Sequence, residues 1–194
     1  MKKNIAVALL ILSLALPLRA DEALQNGDFA DGITRWHGDG RAPADYANDN
    51  PLQASDPFTA SGLILPLKHT LWTQVAQDFT SNISGGILKI SFKLSPDFVL
   101  STNVQDYDNP SGALGWGWKK FSTPPGSWLV FFTSNNGTKG HYYEIKPHAA
   151  AAGAVQTVQV KVGQMTPNDE TTITLAMPPG TGTIVFTSVS LDGQ

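Results

Sequence analysis

The sequence contains no cysteine, and this absence excludes several kinds of protein at once. A disulfide-stapled scaffold, a cysteine nucleophile and a zinc site built on thiolates all need that side chain. Charge is also scarce, at 15% of the residues. The first twenty residues hold three of the 13 basic residues and none of the 16 acidic ones, so the remaining chain is clearly acidic. Because a phosphate-backbone binder needs a basic face, we expect no nucleic-acid partner.

Residues 1–20 have the order of a secretory signal peptide. Lys2 and Lys3 come first, an apolar run extends from Ile5 to Leu16, and Ala20 supplies a small residue for cleavage. The run is shorter than the about 20 apolar residues that a membrane span needs, and no later segment is apolar enough. We therefore expect an exported protein without a membrane span, periplasmic or extracellular. Its mature chain is expected to form one domain over residues 21–194.

Short stretches of alternating apolar and polar residues follow one another along the mature chain, and no amphipathic helix exceeds about two turns. The alternating stretches are residues 71–79, 86–94, 158–162 and 172–177, whereas residues 128–132 are apolar on both faces and predict a central strand. Between residues 184 and 191 the alternation switches at Thr187 and Ser188, which predicts either a β-bulge or burial on both faces. The 18 glycines and 13 prolines provide turns between the strands. The pattern predicts an all-β fold, a two-sheet antiparallel sandwich.

Three regions resemble strands of a known family. They are Leu24–Gly32 with Trp36, Trp72–Phe79 with Leu88–Phe92, and Thr183–Leu191. These regions are similar to the opening, the second and third, and the closing strands of carbohydrate-binding modules of the bacterial cellulase and xylanase type. The resemblance covers about a quarter of the chain. It implies a galactose-binding-like jelly roll with a glycan ligand, in which Phe29 and Trp36 fill the core and Asn26-Gly27 turns the chain.

The same resemblance raises the question of a structural calcium ion, which such modules commonly hold. The positions at which the family carries carboxylates look like Ala30 and Thr187–Ser188 here, and none of these supplies an anionic oxygen. Calcium takes six to eight oxygen ligands, usually including several carboxylates. Asp28, Asp31 and Asp192 lie nearby in this interpretation and are the candidate calcium ligands. No other cofactor is expected.

Candidate ligand-binding residues come from the aromatic side chains and their polar neighbours. Trp116 and Trp118 are separated by one glycine, so an extended chain places both indoles on one face, about 7 Å apart. They form either a sugar-stacking platform or a cover over the end of the core. Trp72 points away from the apolar side of its strand, so it too either stacks on a sugar or is covered by a loop. Trp36 and Trp128 are interpreted as core residues. Gln74 and Gln159 are the polar candidates for sugar hydroxyls.

The expected function is therefore that of an exported, non-catalytic carbohydrate-binding protein. One alternative is a structural or adhesive sandwich that binds another protein, and the aromatic residues are the only feature that argues against it. The second alternative is a polysaccharide-degrading jelly-roll enzyme. A lyase would use a base such as His141 or Tyr143, which share one face of a strand, and a glycosidase would need two facing carboxylates. The sequence leaves the oligomeric state open.

Overall fold

The computed structural model describes residues 23–31, 34–36, 62–67, 69, 72–101, 106–107, 121–122, 124–134, 140–148 and 153–193. These residues form strands and turns. The strands are β1 (Leu63–Pro66), β2 (Thr73–Thr80), β3 (Gly86–Leu94), β4 (Val99–Leu100), β5 (Asp106–Tyr107), β6 (Phe121–Ser122), β7 (Trp128–Ser134), β8 (Gly140–Ile145), β9 (Gln156–Val162), β10 (Glu170–Met177), β11 (Gly180–Thr181) and β12 (Thr183–Gly193). None of the described residues belongs to a helix that could cross a membrane.

Two four-stranded sheets make up the body of the fold. The first sheet has the order β1-β12-β3-β9 and the second has the order β2-β10-β7-β8. Every strand pair in both sheets is antiparallel. Two small ribbons, β4 with β11 and β5 with β6, complete the described strands. The predicted two-sheet antiparallel sandwich of jelly-roll type is confirmed.

The core lies between the two sheets and is filled by alternate residues of each strand. Leu88, Ile90 and Phe92 of β3 have no exposed surface, whereas the intervening residues of β3 reach solvent. Trp128 of β7 lies between Phe92 and Phe186, with ring centroids 5.9 and 5.6 Å apart. Because successive side chains of a strand point to opposite faces, the alternation in the sequence is sufficient to select these core residues.

The predicted bulge in the last strand is present. Phe186 pairs with Phe92, but the next paired residue is Ser188, opposite Ser91, so Thr187 is the additional residue. The insertion changes the alternation of β12, which is why both Phe186 and Val189 face the core with no exposed surface.

The opening segment differs from the predicted strand. Residues 23–31 form turns, and Asn26 and Phe29 adopt left-handed backbone conformations, with φ of 49° and 57°. The segment nevertheless lies beside β12, since Val189 N donates to Gly27 O at 2.7 Å. The side chain of Gln77 on β2 binds both backbone polar groups of Gln25 at 2.8 Å. The opening segment therefore links the two sheets on the side of β1 and β2.

Phe29 and Trp36 fill the core, as the sequence predicts. Both are buried, and their ring centroids are 5.5 Å apart. The Trp36 indole N–H donates to Asn26 O at 3.1 Å, and the Asn26 side chain binds Thr34 O and Asp31 N. The turn at Asn26 is thus fixed from both sides, which positions the two rings.

Candidate functional site

The outer faces of the two sheets differ in chemical character. The first sheet presents polar side chains that are wholly or partly exposed, namely Lys89, Ser91, Lys93, Thr157, Gln159 and Lys161. The second sheet instead presents an apolar cluster of Leu129, Phe131 and Ala176, with Trp72 packed against it. The three clustered residues are buried although they face away from the core. Solvent therefore reaches the second outer face mainly at its rim.

Strand register defines the geometry of this second outer face. One row across the sheet runs Ala76, Thr174, Phe131, Tyr142, and the next row runs Gln74, Ala176, Leu129, Glu144. The outermost strands β2 and β8 are three strand spacings apart, which is about 14 Å. The face therefore has one rim on β2, with Trp72 and Gln74, and another on β8, with Tyr142 and Glu144. The residues between the two rims are buried, so a ligand can contact this face at the rims but not across its middle.

Tyr142 is the exposed aromatic side chain of this face. Its exposed fraction is 42%, and its ring lies 6.4 Å from the ring of Phe131, centroid to centroid, at an interplanar angle of 45°. Phe131 is buried and supports the tyrosine from one side. An aromatic ring that is held in place and open to solvent is suited to packing against the apolar C–H face of a sugar. A tyrosine hydroxyl group has the chemistry of both a hydrogen-bond donor and an acceptor.

Polar groups surround the apolar cluster. Thr172 Oγ1 donates to Asp78 Oδ1 at 2.5 Å on the β2 side. Glu144 is exposed and lies two residues from Tyr142, on the same face of β8 at a spacing of about 7 Å. Carboxylates accept hydrogen bonds from hydroxyl groups, so this rim offers acceptors next to an aromatic surface.

The structure brings together only some of the residues selected from the sequence. Trp72 and Gln74 lie on the second outer face as neighbours along the chain. Gln159 lies opposite Lys89 on the outer face of the first sheet, on the other side of the sandwich. It is therefore not part of the same surface. Trp116 and Trp118 lie outside the described residues.

Tyr142 was not selected from the sequence, although a signal was present. The segment from His141 to Lys146 has the alternation of a strand, so Tyr142 and Tyr143 were expected on opposite faces. The structure turns Tyr143 inward, where its hydroxyl accepts from Gly163 N at 3.2 Å. That contact assigns the outward position to Tyr142.

The proposed calcium ligands do not form a metal site within the described part of the chain. Asp28, Asp31 and Asp192 are all described, yet no group of three carboxylate or histidine side chains there is arranged to hold a metal ion. Asp192 Oδ2 instead pairs with Lys89 Nζ at 2.5 Å, and Asp28 Oδ1 accepts from Ala30 N within its own turn. A calcium site at these three residues therefore stays a prediction.

Comparison with solved structures identifies the fold. The structure of TmCBM61 in complex with β-1,4-galactotriose superposes with a TM-score of 0.54 at 9% sequence identity, over 89% of this chain and 99% of that one. The mannan-recognising module TmCBM27 gives 0.43 at 12% identity, over 84% and 91%. The enzymatically active domain of tailspike protein 4 from bacteriophage CBA120 gives 0.49 at 10% identity, over 89% of this chain and 21% of that one. No protein-family model matches the sequence, and no curated protein matches it. The chain thus shares the fold of TmCBM61, a jelly roll as the resemblance in the sequence implied.

Proposed function

We propose that the protein is an exported, non-catalytic glycan-binding protein that holds its ligand on the outer face of the second sheet. The observation that carries this proposal is Tyr142, exposed beside Glu144 and supported by the buried ring of Phe131. The fold of a carbohydrate-binding module supports a glycan as the ligand class. The signal-peptide order of residues 1–20 supports export. Trp116 and Trp118 remain the sequence-based candidates for a second stacking surface.

The spacing of two strand carboxylates, Asp78 and Glu144, supports binding without turnover. Asp78 and Glu144 lie on strands at opposite edges of the second sheet, about 14 Å apart across it and a further about 13 Å along it. Glycosidase carboxylates face each other at about 5–9.5 Å. Tyr143, the other residue considered for a lyase, uses its hydroxyl in the contact with Gly163. Asp78 and Glu144 are therefore too far apart to act as a glycosidase pair.

Glycan binding is tested by comparing two matched pairs of variants on a panel of immobilised polysaccharides. β-1,4-Galactotriose is the first soluble probe, because the similar module was solved with it. Gln74→Ala removes an amide from the proposed surface, and Gln159→Ala removes the same group from the opposite side of the sandwich. We expect Gln74→Ala to weaken binding of the soluble trisaccharide and Gln159→Ala to leave that binding unchanged.

The second pair addresses stacking. Burial of roughly 50 Å² of sugar against one ring stabilises a complex by on the order of 1 kcal/mol, so Tyr142→Ala should lower affinity about tenfold. Val155→Ala, which also shortens an exposed side chain, serves as the control.

A protein that binds no glycan on the panel contradicts the proposed function. Binding that is insensitive to Tyr142→Ala but lost in Gln159→Ala contradicts the site. Release of reducing ends or unsaturated products contradicts the absence of catalysis.

A further inference from the structure

The four edge strands of the sandwich differ in how they are protected. β1 has only four residues and ends at the exposed Pro66, which has no N–H to donate. β2 lies on the side where the opening segment joins the sheets through Gln77 and Gln25. The two remaining edges are β8, with six residues, and β9, with seven; β9 contains no proline and pairs with β3 without a register shift. No described strand pairs with its second edge.

The side chains of β9 add an apolar component to this open edge. Val158 and Val160 pack against the core but are still partly exposed, and Val155 just before the strand is 56% exposed. Lys161 is the only charged residue of the strand. Proteins usually protect long edges with charges, bulges or proline, because unpaired N–H and C=O groups accept another strand. β9 has a single charged residue, no bulge and no proline.

We propose that β9 pairs with β9 of a second copy of this chain, in antiparallel orientation about a twofold axis through Gln159. Such isologous contacts are the commonest form of association between identical chains. The pairing would join two first sheets into one eight-stranded sheet. It does not depend on the glycan-binding function proposed above.

The sequence of β9 is complementary to itself in this register. On the inner side, Val158 of one copy lies opposite Val160 of the other, so the apolar row continues across the interface. On the outer side, Gln159 faces its own equivalent, and two side-chain amides can each donate to and accept from the other. Lys161 lies opposite Thr157, so the one charged residue meets a hydroxyl group and not a second lysine. Like charges directly opposite would destabilise the pair.

The test changes the residue opposite Lys161 and measures association. Thr157 is exposed, and its contact within the sheet is a hydrogen bond to Ser91 at 2.9 Å, so its substitution leaves the core intact. Thr157→Lys places two lysine pairs across the interface, whereas Thr157→Glu places two ion pairs there. Thr166→Lys adds the same charge at an exposed loop position and is the control.

Sedimentation equilibrium of the full purified chain, from micromolar to millimolar concentration, gives the dimer dissociation constant of each variant. We expect the wild type to dimerise with rising concentration. Thr157→Lys should raise the dissociation constant about fivefold and Thr157→Glu should lower it by a similar factor, since two cross-strand charge pairs change in each. Thr166→Lys should match the wild type. A wild type that is monomeric throughout, or a dimer for which both Thr157 variants behave like Thr166→Lys, would overturn the proposal.

Discussion

The two fully buried tryptophans provide a matched test of how the core is stabilised. Trp36 and Trp128 both have no exposed surface, and each packs against phenylalanine rings. They differ at the indole nitrogen. The N–H of Trp36 donates to Asn26 O at 3.1 Å, whereas the N–H of Trp128 is buried with no hydrogen-bond partner among the described residues. Replacement of each by phenylalanine therefore removes a similar volume but a different polar interaction.

The expected difference follows from three contributions. Phenylalanine is smaller than tryptophan by about 40 Å³, so either substitution leaves a cavity that costs about 1 kcal/mol. Trp36→Phe also loses a hydrogen bond, which contributes about 1 kcal/mol, although Asn26 O keeps its bond from Phe29 N. Trp128→Phe removes an unpaired buried donor, whose desolvation penalty is about 1–3 kcal/mol. We expect Trp128→Phe to be nearly neutral and Trp36→Phe to be less stable than it by about 2 kcal/mol or more.

Urea and thermal unfolding measure this difference directly. For a domain of this size, 2 kcal/mol corresponds to a separation of about 4–8 °C in Tm between the two variants. Far-UV circular dichroism and an unchanged urea m-value would show that both variants unfold from the same native fold. The reasoning is refuted if Trp128→Phe loses as much stability as Trp36→Phe. That outcome would mean that the Trp128 N–H is satisfied in solution.

Three further outcomes are expected. Chelation should lower Tm by less than about 4 °C, or roughly 1 kcal/mol, because Asp192 is paired with Lys89, and a larger drop that calcium reverses would contradict this. Mass spectrometry of protein recovered outside the cytoplasm should show a chain that begins at or near Asp21, and recovery of only the full-length chain in membranes would argue against export. Trp116→Ala and Trp118→Ala should each reduce glycan affinity about tenfold with little change in Tm. If the variants instead lose about 3–5 kcal/mol of stability and bind glycan unchanged, both residues belong to the core.

The strands and the core could be predicted from the sequence because a strand has a side-chain period of two. The period identified the faces of residues 86–94 and located the irregularity at Thr187 and Ser188, where the structure has its bulge. The opening segment was not predictable in the same way. Its conformation depends on left-handed residues and on the side-chain bonds of Asn26, which leave no periodic pattern in the sequence.

The composition of the candidate surface was harder to predict, because alternation shows which residues share a face of one strand but not which sheet the strand joins. Gln74 and Gln159 both occupy polar positions of alternating strands, yet β2 and β9 belong to different sheets. Similarly, alternation separates Tyr142 from Tyr143 without showing which of them faces the core. The contact of Tyr143 with Gly163 and its edge-to-face packing on Phe132 decide the orientation of β8.

One sequence feature did mark the second outer face: residues 128–132 are apolar on both faces, which predicts a central strand. In an antiparallel sandwich each strand normally has one apolar and one polar face, and the first sheet follows this rule. β7 departs from it, since Leu129 and Phe131 are apolar on the side that faces away from the core. Departures from local rules concentrate at functional sites, because there the stability of the fold is not the only requirement. Leu129 and Phe131 are themselves buried, so the exposed Tyr142 beside them is the physical reason for the proposal that a ligand binds at the second sheet.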